Sequence, residues 1–358
     1  MITFPEIPNA EIPILLLVFI GFTVGIVGGF IGVGGGFMVT PALVILGFPA
    51  NFAVGTDTAH IAGKSIIATI RHSQLGNVDL KLAAIMVAGT MTGAEGCVRF
   101  IEFLESKGEK IASSVVLSAS LILMALIAYI TFQETMAARR RMQELKASGK
   151  AVGRDQQMTG IAAKLQNIRI RPVIYLSTSR VTVSIWTVLA VGLLAGFLSG
   201  FFGVGGGFIR VPAMIYLLGV PSLIAVGTDL AEIIVSSGYS ALRHGMEQNV
   251  VIFASFIMIF GAAIGAQIGA LATQYVTGPA VRLILSVAVT VGALGAGVKL
   301  MDVLTDKKVD LLDKVSAGIM FGGMGLLVVL IAGLVVMGVM RDRGRAVPSW
   351  ADGLVVAR

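Results

Sequence analysis

The sequence predicts an all-α polytopic membrane protein made of two inverted-topology repeats with Gly-broken helices, on three observations. The first is composition. Hydrophobic residues make up 56% of the chain and charged residues 13%, against about 25% charged in a soluble domain. The second is an internal duplication. Gly-Phe-Ile-Gly-Val-Gly-Gly-Gly-Phe at 29–37 recurs as Gly-Phe-Phe-Gly-Val-Gly-Gly-Gly-Phe at 200–208. Each copy is followed by Val-Gly-Thr-Asp (54–57, 226–229), an Arg-His pair (71–72, 243–244) and Asn-Val (77–78, 249–250). The offset is 171 at the glycines (200 − 29) and 172 at the aspartates (229 − 57), so one residue separates the copies in length. The third is the distribution of basic residues, which are concentrated between the halves and at the C-terminal end.

From Ile12 to Thr56 no charge occurs, well beyond the roughly 20 apolar residues that cross a bilayer. Further apolar runs lie near 82–98, 111–133, 181–209, 250–273, 283–298 and 315–340. Helices satisfy their own backbone in lipid, and the ~10-residue alternating segments of a barrel are absent. The first run follows Glu6 and Glu11 rather than a basic segment, so it reads as a retained span and not a signal peptide. After the glycines, Phe37–Leu46 is short and ends at Gly47-Phe48-Pro49. A second helix is expected from near Val54 to about Ile70, with Thr56 or Asp57 capping it. This pair reads as a re-entrant hairpin or as two tilted spans. The second half repeats the pattern around Leu218-Gly219-Val220-Pro221, with a helix opening at Thr228-Asp229.

The net charge of +7 does not signal nucleic-acid binding, because the excess lies mostly in one segment, 134–180. Arg139, Arg140, Arg141, Lys146, Lys150, Arg154, Lys164, Arg169, Arg171 and Arg180 face only Glu134, Glu144 and Asp155 there. Basic loops stay cytoplasmic, and Arg341, Arg343 and Arg345 assign the C-terminus to the same side. The acidic N-terminus is expected outside. The expected organisation is a first transmembrane repeat at 12–133, a basic cytoplasmic loop at 134–180, and a second repeat with an extra helix at 181–341. Outside-to-inside in the first half and inside-to-inside in the second put the two equivalent blocks in opposite orientations, a plan of secondary transporters.

Candidate site residues follow from what is costly in lipid. Gly34, Gly35, Gly36 and their mates Gly205, Gly206, Gly207 permit an unwound backbone, whose next helix presents free N–H groups to an anion. The alternative is close helix packing through small residues. Lys64 lies in mid-segment, where a charge needs a cavity, a partner or a ligand; it either meets an anion or pairs with Asp57, Asp229 or Glu232. In the second copy Ser236 stands opposite Lys64, and Glu232 opposite His60. Asp57 and Asp229, after Thr56 and Thr228, either cap helices or bind an ion or proton. Glu95 relays protons or pairs with Arg99 one turn on. His60, Glu95 and Glu232 are the candidate coupling groups. No metal spacing, cofactor motif or nucleophile–base pair stands out, and the single Cys97 reads as a small packed residue.

The duplicated Gly-Phe-x-Gly-x-Gly-Gly-Gly block, each followed by a Pro (Pro41, Pro212), a Val-Gly-Thr-Asp and an Arg-His, resembles the TauE/SafE family of membrane permeases over about 12–340. The resemblance implies a multi-pass protein of the cell (inner) membrane that moves sulfur-containing anions such as sulfite or organosulfonates, many as exporters. The expected function is a secondary transporter of small oxyanions and not an enzyme. The expected surroundings are a small anionic substrate and the lipid bilayer. The alternative is a membrane-embedded scaffold that recruits a cytoplasmic partner through the 134–180 loop.

Overall fold

The computed structural model describes residues 2–107, 109–147, 170–200, 206–304, 310–351 and 353–356. It is mostly helical. In the first half α1 (Ile14–Ile31), α2 (Gly36–Ile45), α3 (Ala50–Gln74), α4 (Leu80–Glu105) and α5 (Glu109–Ala147) follow one another. The second half supplies α6 (Ile185–Gly200), α7 (Gly207–Tyr216), α8 (Ser222–Met246), α9 (Ile252–Ala272), α10 (Gly278–Leu304) and α11 (Asp310–Asp342). Two short antiparallel hairpins qualify the all-helical expectation: β1 (Ile2–Phe4) with β2 (Ile7–Ile12), and β3 (Val173–Leu176) with β4 (Val181–Ser184). Both precede an apolar helix rather than interrupt one.

The duplication is visible in the element bounds. α2 and α7 differ by 171 at both ends (207 − 36, 216 − 45), and α3 and α8 by 172 (222 − 50, 246 − 74). Among the described residues four helices are long and apolar enough to cross a membrane: Ile14–Ile31, Ile252–Tyr275, Gly278–Gly295 and Lys314–Asp342.

Several expected boundaries move. α3 begins at Ala50, not near Val54, because Pro49 at φ −55° already presets the turn. α8 likewise begins at Ser222, behind Pro221. Thr56-Asp57 and Thr228-Asp229 therefore lie inside helices and cap neither. Only α2 and α7 are short, at 10 residues each, while α3 has 25 and measures about 37 Å at 1.5 Å per residue. α5 continues through residues 134–147, so the first part of the basic segment is helical; residues 148–169 lie outside the described residues.

The halves interlock. α1 packs chiefly against α9, α6 against α4, and α3 against α8. A Cβ on Gly261, Gly265 or Gly269 of α9 would overlap the carbonyl oxygens of Val18, Phe22 or Ile26 on α1. The mirror pair repeats this: a Cβ on Gly89 or Gly93 would overlap the oxygens of Leu189 or Leu193. Backbones approach that closely only through small residues. Buried Cys97 stands at the rung that Gly269 fills in the other half (269 − 172). The interlock is also reciprocal in hydrogen bonds: Val251 N–H donates to Thr56 Oγ1 and Asp79 N–H to Thr228 Oγ1, both at 3.0 Å.

Gly93→Leu should lower the melting temperature in detergent sharply, since even one extra methylene in a filled core costs about 1–3 kcal/mol and here the obstacle is backbone. Gly333→Leu, at a glycine whose added Cβ would meet nothing within 4 Å, should melt near the wild type. Equal melting of the two variants would refute the ladder.

Candidate functional site

α1 ends at Gly32, with φ +79°, and α2 starts behind Gly35, with φ +85°. In the second half Gly206 precedes α7 with φ +54°. These left-handed conformations suit glycine, and space forbids more. A Cβ at Gly35 would stand 2.9 Å from Lys64 Nζ, and one at Gly206 would stand 3.3 Å from Arg210 Nη1. Each half therefore brings a buried cation to the left-handed glycine that opens its short helix. The two cations come from different places: Lys64 from α3 and Arg210 from α7. Their sequence mates are Ser236 (64 + 172) and Val39 (210 − 171). Pairing by repeat position conceals this, and sequence reasoning missed Arg210.

The two half-sites differ in how the cation is met. In the first, Lys64 is 1% exposed, and Nζ has one long hydrogen bond, 3.5 Å to Val24 O. No carboxylate among the described residues comes within ion-pair distance of it. Its neighbour Asp57 takes Thr40 Oγ1–H at 2.8 Å, and His60 Nδ1 lies 3.4 Å from the other carboxylate oxygen. Among the described residues His60 Nε2 and Ser65 Oγ have no partner. In the second half-site Arg210 Nε donates to Asp229 Oδ1 at 2.7 Å and lies 3.0 Å from Glu232 Oε2. All three are buried. Of the three carboxylates proposed as partners of Lys64, Asp229 and Glu232 are held by Arg210, and Asp57 is met by Thr40 and His60.

The other expected residues are distributed as follows. Gly34 packs on Ile61, Gly36 opens α2, and Gly207 opens α7 against Asp229; Gly205 lies outside the described residues. The Thr56 and Thr228 hydroxyls accept from the N–H groups of Val251 and Asp79, the residues just before α9 and α4 of the opposite half. Glu95 is exposed and 3.4 Å from Arg99. His72 is buried, and its Nε2 bonds Gly29 O at 2.7 Å, which ties the end of α3 to the last turn of α1.

A cavity of about 660 Å³ opens on the second half-site. Arg210, Ser199, Ser237, Thr58 and Thr90 form its buried wall, and Ser236, Tyr239 and Ser240 continue it toward an exposed rim at Glu95, Arg243 and Glu247. Hydroxyls and guanidinium groups dominate that wall. Thr58, Thr90 and Ser199 donate to the carbonyls of Gly55, Met86 and Gly196, whereas the buried Ser237 hydroxyl has no partner among the described residues and is a donor that suits an oxyanion. No group of three metal-ligating side chains occurs among the described residues.

A hydroxyl- and guanidinium-bearing cavity sunk among apolar helices long enough to cross a bilayer is an arrangement that a membrane transporter can use. Residues 17–296 match the family described as "Sulfite exporter TauE/SafE", and the chain belongs to that family. It is similar to the "Probable membrane transporter protein YunE" of Bacillus subtilis, at 26% identity over 72% of this chain and 87% of that protein. A "Probable membrane transporter protein" of Xylella fastidiosa is 26% identical over 72% of this chain and 82% of its own length. One of Haemophilus influenzae reaches 42% over 23% of this chain and 36% of its own. No solved structure matches the chain. The family implies a small-molecule substrate and a lipid environment.

Arg210→Met should destabilise the protein more than Asp229→Asn. The first strands two buried carboxylates, and breaking a buried pair costs about 3–5 kcal/mol. The second leaves Arg210 with Glu232. Detergent melting curves decide, and the opposite order would refute the ion pair as the organiser of this half-site.

Proposed function

We propose that the protein is a secondary transporter of small sulfur-containing oxyanions, sulfite or organosulfonates, with export its expected direction. The observation that carries the reading is the pair of buried cations at the left-handed glycines. A helix N-terminus already attracts negative charge, so a cation placed there is unfavourable unless an anion lies between. In the second half the protein supplies its own carboxylates. In the first, no carboxylate among the described residues lies within ion-pair distance of Lys64. A small oxyanion, taking hydrogen bonds from the cation, the turn amides and neighbouring hydroxyls, completes the first arrangement.

In this reading the bundle consists of two inverted-topology repeats, 12–133 and 181–341, the latter with α11 added, joined by the cytoplasmic 134–180 segment. The glycine turns are the substrate-binding breaks. The reciprocal pairing of α1 with α9 and α4 with α6 supports a two-fold relation between halves. The second half-site faces an open cavity and Lys64 of the first is buried, a difference that alternating access between inverted repeats would exchange. The N-terminus is outside and the C-terminus cytoplasmic.

Proteoliposomes challenged with sulfite, sulfoacetate, taurine and sulfate should show protein-dependent flux of at least one sulfur oxyanion. A protein that moves none would be the scaffold of the alternative reading. Lys64→Met should retain its unliganded melting temperature but lose the shift given by the transported anion. That shift amounts to RT ln(1 + [L]/Kd), about 2.7 kcal/mol at a hundredfold excess over Kd. A variant that melts early yet still responds to the anion would assign Lys64 to structure. Reporter fusions at 150 and 358 should both read cytoplasm; opposite sides would end the inverted-repeat plan.

A further inference from the structure

The second half-site is out of charge balance. Arg210 carries one positive charge, and Asp229 and Glu232 both direct an oxygen at its Nε. Each keeps its other oxygen, Asp229 Oδ2 and Glu232 Oε1, buried without a hydrogen-bond partner among the described residues. Two ionised carboxylates at one guanidinium nitrogen repel each other and leave an uncompensated buried negative charge, which a low-dielectric interior penalises heavily. One bound proton removes the excess and turns an unpartnered oxygen into a hydroxyl donor. The first half needs no such proton. Its mate of Glu232 is His60, and Asp57 is met by Thr40 and His60.

Other charged groups around α8 do not supply the missing charge. On α10 Arg282 donates to Ser222 at the start of α8. On α4 Glu95 is at the rim, paired with Arg99. On α3 Asp57, His60 and Lys64 form their own cluster, and on α8 itself Arg243, His244 and Glu247 line the cavity farther along. Water has a route to the pair. Arg210 and Ser236 both line the cavity, and Ser236 Oγ–H donates to Glu232 Oε2 at 3.2 Å.

We propose that Asp229 and Glu232 together hold one exchangeable proton, and that this proton binds and moves with the transported anion. With both carboxylates ionised, Arg210 is consumed by them and the site repels an anion. A proton taken from cavity water onto one carboxyl weakens that hold, so the guanidinium faces the anion in a neutral site. On release the proton returns to water on the other side, and charge balances at each step; export then runs on an outward anion gradient that exceeds the inward pull of an acid exterior. Proton and anion are then thermodynamically linked, each raising the affinity for the other. Full linkage of one proton makes anion affinity rise about tenfold per unit fall in pH.

The proposal rests on the oxyanion reading above, and the test separates the two. Wild-type proteoliposomes are given radiolabelled sulfoacetate, which stays ionised through the neutral range, with or without an acid-outside pH gradient and an internal pH dye. The gradient should drive sulfoacetate uptake above equilibrium, and a sulfoacetate gradient alone should acidify the lumen. Glu232→Gln should lose both effects in whatever sulfoacetate exchange it retains. Asp229→Asn serves as the second variant, and infrared detection of a protonated carboxyl at neutral pH, lost in Glu232→Gln, reads the proton without transport. Exchange that ignores the gradient in the wild type, coupling of the opposite sign, or coupling retained in both variants would overturn the proton proposal and leave anion transport standing. No movement of sulfoacetate, sulfite, taurine or sulfate by the wild type would overturn the functional reading and this one with it.

Discussion

A helix that stops inside an apolar bundle leaves up to four N–H and four C=O groups without intrahelical partners, and hydrocarbon offers none. The rest of this structure depends on meeting that constraint at Gly32–Gly35 and again at Gly206. The carbonyl of Gly29 takes the Nε2–H of His72, which fixes the end of α3 beside the interruption. The cations, carboxylates and hydroxyls of α3, α7 and α8 then stand around the free ends of α2 and α7. Buried polar residues cluster there because the interruption needs them, and a solute with charged oxygens can use the same groups.

Close packing allows this arrangement to be rigid. Glycines on α4, α6, α9 and α1 let pairs of helices from opposite halves approach to backbone contact, so each half completes the other. Thr56 and Thr228 extend the exchange by satisfying N–H groups just before helices that belong to the opposite repeat. In the proposed alternation this interlock would carry a change in one half-site to the other. Discrete rearrangement is favoured over continuous deformation, because interfaces packed this tightly do not tolerate intermediate offsets.

Much of this was legible in the sequence, and what was not has physical reasons. The helical class and the duplication follow from composition and from motifs repeated at offsets of 171 and 172, since apolar length and glycine need no tertiary context to interpret. Helix starts were misplaced because Thr-Asp is a strong cap signal, yet Pro49 and Pro221 begin the helices earlier and leave the hydroxyls free to serve another chain segment. The glycines of α1 carry both meanings that small residues have. Gly25 and Gly29 face the backbone of α9, while Gly32 and Gly35 turn the chain. Arg210 was missed because repeat alignment sets it against Val39, and Lys64 against Ser236. The equivalence exists in space, at the glycine turn, and a sequence register cannot show it.

That mismatch between register and space explains why the halves are not interchangeable. A lysine carries its charge on a flexible stem and is met here by a single carbonyl, whereas an arginine presents a planar fork that can hold two carboxylates at once. In the first half-site Lys64 stands beyond ion-pair distance of Asp57, whereas in the second two carboxylates share one guanidinium. A duplicated fold with identical half-sites would present an anion with the same well on both sides and no reason to couple its movement to anything else. In the proposed mechanism this difference gives the two halves different affinities for the same anion and makes that difference sensitive to a proton. The scaffold would then supply the symmetry that alternation needs, and three substitutions within it, Arg210, Glu232 and Lys64, the bias.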